Sequence, residues 1–99
     1  MSNLLSIGLS GMNAAMLGVC AAAHNIANSQ TPGFRRELAV AQAVPGAGVT
    51  VSLQTAAQPG VDLATDIVEQ KAASYAFQAN ALVVRTADRM MGSLLDVLA

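Results

Sequence analysis

Charge is scarce in this chain, and for the first third of its length it is missing. No Asp, Glu, Lys or Arg occurs between Met1 and Phe34, and charged residues make up only 11% of the whole. Five basic residues against six acidic ones leave no electrostatic footprint for nucleic acid. A single cysteine excludes a disulfide within the chain, and Cys20 with His24 falls short of the ligand set of a structural zinc site. Tryptophan is absent and there are three aromatic residues, Phe34, Tyr75 and Phe77, so bulk for a conventional small core is lacking. Nor is there a nucleophile, base and orienting-acid set, or a glycine-rich phosphate loop between a strand and a helix. These absences predict a protein that is not an enzyme, with no cofactor, metal, nucleic acid or small-molecule substrate. What is present is apolar: 54% of 99 residues are hydrophobic, the mean hydropathy is +0.48 and the net charge is −1. That length allows one domain, and a charge near zero does little to keep copies apart.

An uncharged N-terminus raises a signal peptide or a membrane span. Met1-Ser2-Asn3 has no basic n-region, and Val19 is too large to precede a lipoprotein-type cysteine at Cys20. Ser6, Gly8, Ser10, Gly11, Asn13 and Gly18 interrupt the apolar run, where a span needs about 20 predominantly apolar residues. The expectation is instead a helix buried by protein.

Leu5, Leu9, Met12, Met16, Val19, Ala23 and Ile26 are spaced 4-3-4-3-4-3, a heptad seam over about three heptads. The run ends at Asn28-Ser29-Gln30-Thr31-Pro32-Gly33, where Pro32 pushes Thr31 out of the helical region and Gly33 accepts positive φ. Beside that seam runs a stripe of small residues, Gly11, Ala15, Gly18 and Ala22, which lets another backbone approach closely. A helix that is apolar or small all round is buried all round, and the chain has one other long helix to offer. The small stripe, with Asn25 and Asn28, is therefore assigned to contact with other subunits. The second helix should run from about Leu63 to Leu98, capped by Asp62. Its expected seam is Val68, Ala72, Tyr75, Ala79, Val83, Ala87, Met90, Leu94 and Val97, with a stutter near Ala79 to Val83. Asp62, Asp66 and Glu69 near its start and Arg85 and Arg89 toward its end suit the helix dipole. Between the helices, the alternation of Val49 to Thr55, the weaker alternation of Leu38 to Val44 and the turn Pro45-Gly46-Ala47-Gly48 predict a β-hairpin. The fold class read here is mainly α, an antiparallel two-helix coiled-coil hairpin with a short β-hairpin between its helices. The segments are a helix at about 3–28, a turn at 29–36, the β-hairpin at about 37–56 and a helix at about 62–98, in one domain spanning 1–99.

Ser10-Gly11-Met12-Asn13-Ala14-Ala15, His24-Asn25-Ile26-Ala27-Asn28 and Thr31-Pro32-Gly33-Phe34-Arg35-Arg36 together resemble the N-terminal signature of bacterial flagellar rod and hook proteins. The matching C-terminal signature begins at Val61-Asp62-Leu63-Ala64-Thr65-Asp66-Ile67-Val68. It continues through Tyr75-Ala76-Phe77-Gln78-Ala79-Asn80-Ala81 and Thr86 to Asp96. The resemblance implies a structural subunit of the flagellar basal-body rod, in the periplasm, exported by the flagellar type III apparatus without signal cleavage. Its partners would be itself, other rod and hook axial subunits, and that export machinery. It also implies that the terminal helices pair as the axial core domain and stack around a hollow channel, the C-terminal helix toward the channel. The short insert between the helices points to the proximal-rod type. The uncharged first helix, Cys20 and the short chain depart from the family pattern. They leave a second reading, a discrete oligomeric adaptor or a divergent rod-like paralogue that binds export or assembly proteins.

Asn25, Asn28 and Thr31 either fix neighbouring subunits or cap the helix end and bond the turn backbone. In the turn Pro32-Gly33-Phe34, Phe34 is expected to anchor against the hairpin or the second helix. Arg35 and Arg36 either pair with acidic groups of the next subunit or are solvated. His24 is expected on a helix face with its ring satisfied, and Cys20 as a small buried hydrophobe.

Overall fold

A computed structural model describes residues 2–98. Helix α1 spans Ser2–Ala27, strands β1 and β2 span Glu37–Val44 and Gly48–Thr55, and helix α2 spans Leu63–Leu98. The two helices pack lengthwise and antiparallel, and the hairpin lies on α1, giving a slab of 62 × 23 × 13 Å. This is the mainly α helical hairpin with an inserted β-hairpin that the periodicities predict.

The end of α1 is set locally. The Asn28 side chain donates to the His24 carbonyl at 2.9 Å, and the Thr31 hydroxyl donates to Asn28 Oδ1 at 3.2 Å. Gly33 then turns the chain at φ 71°. Of the two readings of Asn28 and Thr31, the structure supports the capping one. The β-hairpin closes through Pro45-Gly46, with Gly46 at φ 72° and the Ala47 amide donating to the Val44 carbonyl at 3.0 Å. These are the residues and bond of a type II turn. Antiparallel pairing runs from Glu37 opposite Thr55 to Val44 opposite Gly48. A two-stranded sheet is marginal alone, and this one leans on α1. Gly48, at φ 94°, comes so close to Ile7 and Ser10 that a side chain there would strike Ser10, and the Val49 amide donates to the Ser10 hydroxyl at 3.1 Å.

Helix α2 starts at an Asp62 cap whose Oδ1 accepts from the Thr65 amide at 3.2 Å. Hydrogen bonding from Thr65 favours the charged form and holds the Asp62 carboxyl below its ordinary value of 3.8. A depressed folded-state value means that the cap stabilises the helix fully above the ordinary carboxylate range. That contribution is lost as pH falls through the folded-state value. Asp62→Asn caps without titrating. Circular dichroism from pH 5 downward should show a smaller acid-induced loss of helix for this variant than for the parent. Equal losses would remove Asp62 from the acid response.

The seam between the helices departs from the expectation. Gly8, Ala15, Ala22 and Asn25 of α1 are buried, Gly11 lies under the Asn80 side chain, and Gly18 lies beside Ala73. On α2 the covered positions are Asp66, Gln70, Ala73, Phe77, Asn80, Ala81, Val84 and Ala87. The small stripe Gly11, Ala15, Gly18, Ala22 and Asn25, expected to meet other subunits, thus forms the intramolecular seam. The expected seam lies outside it. Leu9 and Met16 are 47% and 52% exposed, and Leu5, Met12, Val19 and Ile26 flank the contact, half-buried. On α2, Val68, Tyr75, Val83, Met90, Leu94 and Val97 are all exposed. The physical reason is close approach. Lines of glycine and alanine let two backbones come together and gain dispersion along their length, which two lines of leucine and methionine would hold apart.

Candidate functional site

Among the described residues, the buried hydrophobic side chains are Ala15, Ala21, Ala22 and Ala87. A fully buried leucine or phenylalanine contributes about 1.5–3 kcal/mol, and an alanine much less. The large side chains that could supply that energy are outside. The free face of α1 carries Ser6, Leu9, Asn13, Met16, Cys20, Ala23 and Ala27, all exposed and none charged. Cys20 is thus exposed rather than buried as expected. The same helix, over Asn3–Ala27, is long and apolar enough to cross a membrane by length and composition. On α2 the exposed apolar residues include Val68, Tyr75, Leu82, Met90, Met91, Leu94, Leu95 and Val97.

The facing pairs Gly11 with Asn80 and Gly18 with Ala73 bring Ser2 level with about residue 89. The last turns of α2 therefore project beyond α1 by roughly 14 Å. This overhang holds Met90, Met91, Leu94, Leu95 and Val97, and a shallow apolar cleft is lined by Met90, Ser93, Leu94 and Val97. The accessible surface is 6596 Å². A compact monomer of this mass exposes about 5,200 Å². The excess exceeds the ~800 Å² that each partner buries in a standard interface.

At the opposite end of the pair, three elements meet on a buried polar cluster. Asn25 is 2% exposed and Asp66 1%, the largest fully buried side chains among the described residues. Asn25 holds the first residue of β1 by both backbone groups. Its Nδ2 donates to the Glu37 carbonyl at 2.8 Å, and its Oδ1 accepts from the Glu37 amide at 2.7 Å. Nδ2 also reaches Asp66 Oδ1 at 3.4 Å. The Arg36 guanidinium grips the Asp66 carboxylate, donating from Nε at 3.1 Å and 3.4 Å and from Nη2. Glu69 stands 3.9 Å from the same guanidinium. The hydrogen bond to Asp66 raises the Arg36 pKa further above its ordinary value. Arg36 therefore pairs within its own chain, which corrects both the solvated reading and the partner-subunit reading of this residue. Periodicity missed the cluster because Asp66 was assigned to the helix start. Its signal was present, since Asn25 continues the 4-3 spacing of the small stripe.

The turn after α1 is held by aromatic contact, with the Phe34 ring edge-on to His24 at a centroid distance of 5.3 Å. Phe34 is thus anchored on the first helix, not on the hairpin or the second helix as expected. Among the described residues no three His, Cys, Asp or Glu side chains come together as a metal site.

The geometry is thus a slender helical hairpin whose seam on α1 is alanine and glycine and whose two helices carry exposed bulky apolar residues. Residues 54–97, from the end of β2 through almost all of α2, match the family described as flagellar basal body rod FlgEFG protein C-terminal. Over that segment, a little under half of the chain, the sequence is similar to the C-terminal part of flagellar basal body rod proteins. No curated protein matches the chain.

Proposed function

We propose that this chain is a structural subunit of the flagellar basal-body rod, of the proximal type. It self-assembles with copies of itself and with other axial subunits into the hollow rod within the periplasm. It reaches that site through the flagellar type III export machinery without cleavage of a signal. The observation that carries this reading is that, among the described residues, no large apolar side chain is fully buried and seventeen are exposed, on a chain whose α2 matches the rod family. Burial of Leu9 and Met16 of α1, and of Val68, Tyr75, Met90, Leu94 and Val97 of α2, against neighbouring subunits supplies the core that the monomer lacks. These residues, first read as an internal seam, are on this proposal the contacts between subunits.

Quantitative mass spectrometry of washed hook–basal-body complexes tests the proposal. A fixed ratio to other rod subunits is the expected result, and absence from the complexes while the protein is present in the cell would sink it. Sedimentation addresses the adaptor alternative, because a size distribution that grows with concentration fits a polymerising subunit and a fixed small oligomer fits an adaptor. A point variant adds a sharper expectation. Met16 is half-exposed and makes no part of the seam, so Met16→Glu should leave the helical circular dichroism unchanged. It should cut assembly and motility severely, because a carboxylate desolvated without a partner is costly. Normal assembly by that variant would remove the free face of α1 from the interface.

A further inference from the structure

The seam between α1 and α2 does not by itself fix how far one helix is slid along the other. Three facing pairs define the register: Gly11 with Asn80, Gly18 with Ala73, and Asn25 with Asp66. Each pair lies seven residues on from the last along both helices. Slid by one heptad, about 10 Å, Gly18 would receive Asn80 in the room that Gly11 now gives it. Gly11 would then meet Ala87, a glycine against an alanine, as Gly18 now meets Ala73. At Gly11 and Gly18 shape is nearly repeated, and the bias from packing is confined to the end of the seam, where Val84, now seated on Gly8, would meet the one extra methyl of Ala15. Asn25, in contrast, would face Ala73, and Asp66 would be carried away from both Asn25 and Arg36.

We propose that Asn25, Arg36 and Asp66 are the register-setting residues of the helix pair. Directional bonds at one end choose the alignment that the seam of small residues leaves undecided. Asn25 ties α1 to Glu37 at the start of β1, and the neighbouring Arg36 ties the same point to α2 through Asp66. The hairpin base thereby becomes a gauge against which α2 is positioned. A buried polar group that specifies register at some expense of stability is the best-attested use of such groups in paired helices.

Two cysteine pairs, each in a Cys20→Ser background, read the register in the full chain at dilute concentration in a glutathione buffer. Gly18→Cys with Ala73→Cys reports the native alignment, since a Cβ at Gly18 would lie 3.3 Å from that of Ala73. Gly18→Cys with Asn80→Cys reports the one-heptad slip. With the cluster intact, only the native pair should form an intramolecular disulfide. In Arg36→Met/Asp66→Leu, which keeps the Asn25 bonds to Glu37, the slipped disulfide should rise about tenfold while helical circular dichroism persists. A slipped pair that stays silent in the folded double variant overturns the proposal, as does failure of the native pair when the cluster is intact. Should the double variant lose its helical signal, Asp66→Asn is read with the same two pairs, and a disulfide confined to the native pair there overturns it equally.

Discussion

Gly11→Leu is expected to unseat the helix pair, with a net loss of about 2 kcal/mol and a fall of about 8–15 °C in the thermal midpoint of the helical signal. A Cβ at this position would fall onto the Asn80 side chain, whose Nδ2 donates to the Ala76 carbonyl at 2.9 Å. A leucine carries three further carbons into the same space. Against this stands the gain in helix propensity, about 0.7–1 kcal/mol, so overpacking must exceed that to show. Gly92→Leu is the matched control. Nothing lies within 4 Å of the Cβ position at Gly92, on the overhang of α2, so propensity acts alone there and the variant should be neutral or slightly more stable. Thermal melts of the two variants side by side decide the matter, and equal behaviour would contradict the close approach at Gly11.

The second large effect is an asymmetry within the polar cluster. Arg36→Met leaves the Asp66 carboxylate 1% exposed, with only a long bond from Asn25, and should cost about 3 kcal/mol. Asp66→Leu leaves the guanidinium of Arg36, 18% exposed, able to turn to water and toward Glu69, and should cost markedly less. Replacing both residues should return stability close to the parent, because the ion pair repays little beyond its own desolvation. Urea titrations of the two single variants and the double variant supply the cycle. Equal losses in the single variants, or an additive double, would show that burial of Asp66 does not govern the pair.

Helices, hairpin and turn were legible because each rests on a local rule. The 3-4 spacing of α1, the Asp62 cap, the Pro45-Gly46 turn and the alternation of β2 depend on neighbours in sequence. The phase of the helix pair was not legible, because Leu9–Met12–Met16 and Gly11–Ala15–Gly18 repeat at the same interval on one helix. Periodicity reports an interval and leaves the choice between adjacent stripes to packing. Counting bulk favours the first stripe, while backbone proximity selects the second. The Asn25–Arg36–Asp66 cluster needs that phase before it can be foreseen, since Asp66 reaches the seam only when Ala73 and Asn80 do. Phe34 meeting His24, rather than the hairpin, depends on how the turn folds back over the end of α1.

The unequal lengths of the two helices bear on mechanics. Among the described residues, the last turns of α2 have no partner in their own hairpin. A subunit displaced along the long axis would sheath Leu94, Leu95 and Val97 with its own hairpin. In a stack built on these faces, every level would be spliced into the next like the lap joint of a timber spar. Torque and tension would then pass through overlapping apolar tails instead of butted ends.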